Sequence, residues 1–174
     1  MRRDFLEYRV EAELRQLGAE GPECTGLLVA LSGGGDSLTL AALAGRLAGK
    51  LGIRVVAGHV DHQLRPESGD EAIRVRGLAE RLGIDFVSRQ IPREELPPGP
   101  GLEGRARERR YMLLGEMAEA AGCSLIATAH TATDQAETLL MRLLRGASIR
   151  GLAGIRPLAL DLSTRPVIRP LLGV

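Results

Sequence analysis

One stretch constrains the fold of this chain more than any other: an apolar run, a glycine turn, and an apolar-striped segment in unbroken succession. Leu27-Leu28-Val29-Ala30-Leu31 reads as a buried strand, and Ser32-Gly33-Gly34-Gly35-Asp36-Ser37 follows it. Leu38, Leu40, Ala41, Leu43, Ala44, Leu47 and Leu51 then fall on one stripe of a helix. Strand, glycine turn and helix in that order aim free backbone N–H groups at an anion. Glycine permits positive φ there and lets phosphate oxygens approach the main chain with no Cβ in the way. Asp36 and Ser37 fall in the first helical turn, where a carboxylate can cap N–H groups or help hold a magnesium ion. The common phosphate loop is excluded, because it needs a lysine after its last glycine and none follows here.

The rest of the chain repeats the alternation. Helices are predicted over 3–17, from the glycine loop to about Leu51, from near Glu67 to Leu82, over 103–121 and from Asp134 to Leu144. In the first of these, Phe5, Tyr8 and Ala12, with Leu14 or Leu17, supply the apolar side. Strands are predicted over 27–31, 53–60, 84–88, 123–129 and near Pro166-Val167-Ile168. Pro92 to Gly101, rich in proline, reads as a mobile loop. Strands alternating with helices of this length predict an α/β fold: a parallel five-stranded sheet with helices on both faces. In such sheets ligands lie past the carboxyl ends of the strands, near the point where strand order reverses. The glycine loop, His59-Val60-Asp61-His62 and His130 all follow predicted strands. Residues 1–24 form a helical lead-in and 25–174 the main domain. The apolar ending Arg169-Pro170-Leu171-Leu172-Gly173-Val174 suggests a domain that continues into further segments.

Composition narrows the function classes. At 174 residues the chain is long enough to bury a real core. It has neither a signal-peptide pattern nor an apolar run of membrane-spanning length, so a soluble cytoplasmic protein is expected. Cys24 and Cys123 form no Cys-x-x-Cys pair, which argues against a metal ribbon or a disulfide framework. Net charge is only +1, yet residues 105–174 carry ten arginines against six acidic residues. Such a half can meet phosphates or simply be a solvated surface. Four aromatic residues, Phe5, Tyr8, Phe86 and Tyr111, are too few for a base-stacking sheet.

Three further constellations carry chemistry. In His130-Thr131-Ala132-Thr133-Asp134-Gln135-Ala136-Glu137-Thr138, Asp134 and Glu137 share one face of a starting helix. That pair suits a magnesium ion or an ammonium group, or plain acidic capping. His59 and Asp61 share a strand face that His62 does not, so zinc is not expected and shaping a pocket wall is the better role. Arg105, Arg107, Arg109 and Arg110 form two helical stripes. Guanidinium forks suit phosphate, while a solvated face paired with Glu103 and Glu108 is the alternative.

The glycine turn resembles the Ser-Gly-Gly-x-Asp-Ser loop of the pyrophosphatase-type ATP enzymes. Taken with His59-Val60-Asp61-His62-x-Leu64-Arg65, Arg107-x-x-Arg110-Tyr111, the His130-to-Thr138 segment and Arg145-Gly146-Ala147-Ser148-x-x-Gly151-Leu152-x-Gly154-Ile155, the chain closely resembles the tRNA(Ile)-lysidine synthetases from about residue 25 onward. Thr133 departs from the family's usual Asp or Asn, brings no charge, and is assigned no role. The resemblance implies a Rossmann-like fold of the adenine-nucleotide α-hydrolase type and ATP-driven joining of lysine to C2 of the wobble cytidine in an isoleucine tRNA. It implies ATP and Mg2+ as cofactors, with tRNA(Ile) and L-lysine as partners, no membrane, and room for a homodimer. Ser32, Gly33, Gly34, Gly35, Asp36, Ser37, His59 and Asp61 would hold the nucleotide, and Asp36 and Asp134 the magnesium. Asp36, Arg107, Arg110, His130, Asp134 and Glu137 would be catalytic, with Glu137 meeting the lysine ammonium. A tRNA thiolase or a nucleotide-amidating enzyme would share the first loop; the missing cysteine pair argues against the one and the His130-to-Thr138 segment against the other. A non-catalytic adenine-nucleotide module would bind ATP without releasing pyrophosphate.

Overall fold

In the computed structural model the apolar run at 27–30 becomes the central strand, β1 (Leu27–Ala30). The structure describes residues 2–61, 68–146, 152–160 and 163–174, with side chains described from residue 5 in the first helix and from 71 in the third. The chain continues through α2 (Gly35–Leu51), β2 (Val55–Asp61), α3 (Ser68–Arg81), β3 (Asp85–Gln90), α4 (Leu102–Ala120), β4 (Leu125–Ala127), α5 (Ala132–Leu144), β5 (Leu158–Ala159) and β6 (Val167–Ile168). A first helix, α1 (Arg2–Gln16), precedes β1.

Strand order is β3-β2-β1-β4-β6-β5. Every pairing is parallel except β5 with β6. The fold is therefore the expected α/β sheet, but with six strands rather than five. The additional strand is two residues long and pairs antiparallel at the edge, with Leu158 half-exposed. So short a pairing leaves no periodicity for a sequence to show.

Alternation along the strands builds two cores. Leu27, Val29 and Leu31 of the β1 region and Val55 and Ala57 of β2 pack beneath α1, α2 and α3. Leu28, Val56 and Val60 face the opposite way, onto Tyr111, Leu114 and Met117 of α4. Parallel strands buried on both faces explain why β1 and β2 read as continuous apolar runs. Close packing also fixes Gly58, because a Cβ there would stand 2.8 Å from the Leu28 side chain.

Two local expectations are corrected. In α1 Leu14 reaches the core as expected, but its companion is Val10 and not Phe5, Tyr8 or Ala12: Phe5 and Tyr8 remain 63% and 68% exposed. The aliphatic residues lie one turn apart on the face that meets α2, and the bulkier rings stay outside, with the Arg9 guanidinium 5.9 Å from the Phe5 ring. The proline-rich segment contains a 3-10 turn (Arg93–Glu95) and is tied down rather than loose. Arg105 donates to the carbonyls of Pro97 and Pro100, at 2.6 and 2.7 Å.

Candidate active site

Strand order reverses between β2-β3 on one side of β1 and β4-β6 on the other, and a cavity of about 530 Å3 opens at that point. Residues 30–32, 58–61 and 128–130 bring it the carboxyl ends of β1, β2 and β4. Residues 34–37 of the glycine loop and α2, Glu71 of α3, Arg110 and Leu114 of α4, and Asp134 of α5 complete the wall.

The glycine loop is braced from within. Ser37 Oγ donates to the Gly34 carbonyl at 2.8 Å and accepts from the Ser32 N–H at 3.2 Å, with Ser32 Oγ a further 3.1 Å away. Its one proton is thus committed to the loop, and its task there is to shape the turn. Of the three glycines only Gly33 uses the positive φ that glycine permits (85°). Gly34 and Gly35 have another reason to lack a side chain. A Cβ on Gly34 would approach nothing nearer than 3.7 Å, and one on Gly35 nothing within 4 Å, so the protein's own packing leaves that space open. Gly34 caps α2 without a side-chain hydrogen bond, so the first amides of a 17-residue helix face the cavity with the positive end of its dipole. This is an anion cradle.

His59 Nδ1 lies 2.9 Å from the Leu31 carbonyl. A carbonyl only accepts, so Nδ1 carries the proton and Nε2 is left as an acceptor. The bond ties the end of β1 to β2 directly under the loop. Asp61, on the same strand face and equally buried, accepts from Gln90 Nε2 at 3.4 Å. His62 and Arg65 lie outside the described residues, as do Ala147, Ser148 and Gly151.

The opposite wall is set by the start of α5. Thr131 is its N-cap: Asp134 Oδ2 accepts from the Thr131 N–H at 2.7 Å and from Thr131 Oγ1 at 3.0 Å. These bonds, the backbone one first, hold the Asp134 carboxyl below its ordinary pKa. Both fall on Oδ2, which leaves Oδ1 outside the cap. Gln135 makes a two-point clamp with the backbone of Ile155, donating from Nε2 at 3.3 Å and accepting at Oε1 at 2.6 Å. Gly154 allows it. Its φ is +67°, and a Cβ would lie 2.7 Å from the Gln135 amide. His130 Nδ1 is 2.9 Å from Thr128 Oγ1. Burial, then the charges of Arg169 and Arg107, push the His130 pKa down to about 4, so the ring is neutral at pH 7.

The α4 arginines divide into two kinds. Arg105 anchors the proline segment, and Arg109 pairs with Glu95 and Glu116 rather than with Glu103 or Glu108. Arg107 and Arg110 instead lie over the ring of the buried Tyr111, at 5.0 and 5.4 Å. Arg110 lines the main cavity, while Arg107 lines a neighbouring one. Glu137, one turn along α5, is exposed and does not line the main cavity. Glu71, Thr128 and the clamp of Gln135 escaped sequence reasoning. Gln135 alone had a signal, its place inside the His130-to-Thr138 segment.

Among the described residues no three His, Cys, Asp or Glu side chains form a metal-binding group. Asp36 and Asp134 nevertheless line one cavity. Their hard carboxylate oxygens suit magnesium, which takes one or two carboxylates and completes its shell with water and phosphate oxygens. Both cysteines are buried and free, and burial pushes the Cys123 thiol up, as befits structural residues.

A family model described as an ATP-binding PP-loop domain matches residues 6–174. The chain belongs to the PP-loop domain family. This PP-loop domain is 45% identical over 150 residues to a tRNA(Ile)-lysidine synthase of Bradyrhizobium sp., covering 85% of this chain and 41% of the relative. It is 41% identical over 167 residues to one from Novosphingobium aromaticivorans, covering 95% and 48%, and 43% identical over 153 residues to one from Thermus thermophilus, covering 84% and 27%. The chain thus spans less than half the length of these curated relatives. Among solved structures, the PP-loop domain resembles a U34-tRNA thiolase from Methanococcus maripaludis, with TM-score 0.68, 18% identity, and coverage of 96% of this chain and 58% of that one. It also resembles an NH3-dependent NAD synthetase from Campylobacter jejuni, with TM-score 0.58, 20% identity, and coverage of 80% and 59%. At those identities the likeness establishes the fold.

Proposed function

We propose that this PP-loop domain is the catalytic part of a tRNA(Ile)-lysidine synthetase, which uses ATP to attach lysine to C2 of the wobble cytidine in the CAU anticodon. The observation that carries the proposal is the meeting, in one cavity, of an uncapped helix N-terminus with Asp36, Asp134, Arg110 and a neutral His130. The curated relatives supply the substrate class.

In the reaction the cytidine C2 oxygen attacks the α-phosphorus of ATP and pyrophosphate departs. The lysine ε-amine then forms a bond to C2, and AMP leaves with the oxygen. The amides at the start of α2 stabilise negative charge developing on the departing pyrophosphate. Ser32 and Gly33 to Gly35 cradle its oxygens, with Ser37 keeping the turn in shape. His59 and Asp61 form the wall toward the adenosine. Asp36 and Asp134 Oδ1 would hold a magnesium ion, which supplies charge neutralisation at the phosphates when bound. Arg110 reaches the phosphate side of the same cavity. Neutral His130 orients the incoming nucleophile through hydrogen bonds without adding a competing charge. Glu137 meets the lysine ammonium at the open edge of α5.

Residues 1–24 serve as a helical lead-in and 25–174 as the catalytic domain. Further segments, as in the longer relatives, would help grip the tRNA, and the setting is the cytoplasm. Among the described residues no helix is long and apolar enough to cross a membrane. A homodimer is compatible with this arrangement.

The test is transfer of labelled lysine to an unmodified isoleucine tRNA transcript with ATP and magnesium, alongside pyrophosphate release. Label that requires ATP supports the proposal. ATP binding with no pyrophosphate release, at high protein and tRNA, would favour a non-catalytic nucleotide module. Asp36→Ala should lower transfer on the order of a hundredfold. Transfer at the wild-type rate would remove Asp36 from the metal site.

A further inference from the structure

A second cavity of about 470 Å3 adjoins the first, and four arginines from separate stretches converge on it: Arg107 of α4, Arg142 of α5, Arg156 before β5, and Arg169 after β6. None of its described lining residues is acidic. Among the described residues Arg107 and Arg156 are in no salt bridge, unlike Arg109 on the same helix as Arg107, which pairs with Glu95 and Glu116. Arg169 is 2% exposed, and its Nη1 donates to the Arg156 carbonyl at 2.6 Å, locking one arginine's backbone to another's side chain. The Gln135 clamp on Ile155 fixes the same edge from the α5 side. Ile155 and Leu160 add apolar surface beside the guanidinium groups.

His130 lines the first cavity, and the charges of Arg169 and Arg107 in the second are felt at its ring. Helix α4 gives one arginine to each, Arg110 to the first cavity and Arg107, one turn away, to the second. The nucleotide's phosphates already have a cradle at the start of α2, on the glycine-loop side of the first cavity.

We propose that the arginine-lined cavity is a second anion site that receives a backbone phosphodiester of the RNA strand whose base enters the first cavity. The inference rests on the tRNA reading above for the identity of the strand. Planar guanidinium forks match the two free oxygens of a phosphodiester, and the apolar edge suits the adjoining ribose. A phosphate held here fixes the strand beside His130 without competing for the glycine loop.

The experiment measures binding of a fluorescently labelled RNA hairpin with a CAU loop across a salt series, and of a fluorescent ATP analogue in parallel. The proteins are wild type, Arg156→Ala, Arg156→Lys and Arg54→Ala. Replacing the Arg156 side chain leaves its carbonyl, and so the Arg169 bond, in place. Arg54→Ala removes the same charge at a distant site where Arg54 pairs with Asp85. Arg156→Ala should weaken hairpin binding roughly tenfold and reduce the salt slope by about 0.7 to 1. ATP-analogue affinity should not change, Arg156→Lys should recover part of the loss, and Arg54→Ala should behave as wild type.

Equal hairpin affinity in Arg156→Ala and Arg54→Ala would overturn the proposal. So would no hairpin binding by wild type at low salt. A parallel loss of ATP-analogue affinity would reassign the cavity to the nucleotide. Lysine transfer by wild type is scored separately: selective RNA loss without any transfer would retain the anion site and sink the lysidine reading, and the converse result would do the reverse.

Discussion

Helices α2 and α5 both begin at the main cavity and both carry an aspartate to it in their first turn, Asp36 and Asp134. They are held in opposite ways. Seven residues of α2 are buried, from Ser37 to Leu51. Helix α5 has no buried residue, and Leu140, Met141, Leu143 and Leu144 are all more than half exposed. The nucleotide cradle is therefore part of the hydrophobic core, and its geometry is as rigid as the packing beneath it. The opposite wall is fixed by a few polar contacts, the Thr131 cap and the Gln135 clamp. A site built this way has one wall set by folding and another that small changes can adjust.

The largest effect that would break the comparison lies in the two helices' leucines. Leu40→Ala in α2 removes a fully buried side chain and should cost about 2–5 kcal/mol of stability. Leu140→Ala in α5, 60% exposed, should stay within about 0.5 kcal/mol. Denaturant unfolding of both variants decides it. A comparable loss at Leu140 would mean that α5 is covered by something outside the described residues.

This contrast also explains what the sequence could reveal. The strand–glycine loop–helix unit was legible because its apolar periodicity, turn residues and burial all agree. His59 and Asp61 were legible as a pair because strand alternation puts them on one face. For α5 the sequence offers a helix and its acids, but the clamp on Ile155 joins residues twenty positions apart and has no periodic signature. Phe5 and Tyr8 misled because ring size says nothing about which face of α1 meets α2. The second cavity was unreadable for a related reason. Arg107, Arg142, Arg156 and Arg169 are spread over four stretches, and only the sheet order brings them together. The arginine surplus after residue 105 was visible, but its convergence was not.

Gln135→Ala gives the next effect. It removes both bonds to Ile155 and leaves a partly buried N–H and carbonyl to find water, at a cost of about 1–3 kcal/mol. Hydrogen exchange should rise at Ile155 and along α5 while α2 remains protected, and KM for tRNA should rise more than KM for ATP. Uniform loosening of both helices would show that the walls are coupled. Thr131→Ala is expected to be milder, about 1 kcal/mol, since it deletes one capping hydroxyl and keeps the backbone bond to Asp134. Its signature is fraying confined to the start of α5, read by the same exchange measurement.

The smallest effect is a pH dependence confined to the α5 wall. The folded-state pKa of His130 is lowered from 6.5 to about 4, first by burial and then by Arg169 and Arg107. Above pH 6.5 the ring is neutral in both folded and unfolded chains and adds no slope. Between pH 6.5 and about 4 the unfolded chain takes up a proton that the folded one refuses, so stability falls as pH falls. Below about 4 both states are protonated and the contribution is constant. Because the ring is partly exposed, solvent screening limits the loss to on the order of 1 kcal/mol. His130→Asn keeps a polar side chain but cannot titrate. Its unfolding free energy should track wild type above pH 6.5 and decline less steeply down to pH 4. Parallel curves would mean that His130 meets enough water to titrate normally.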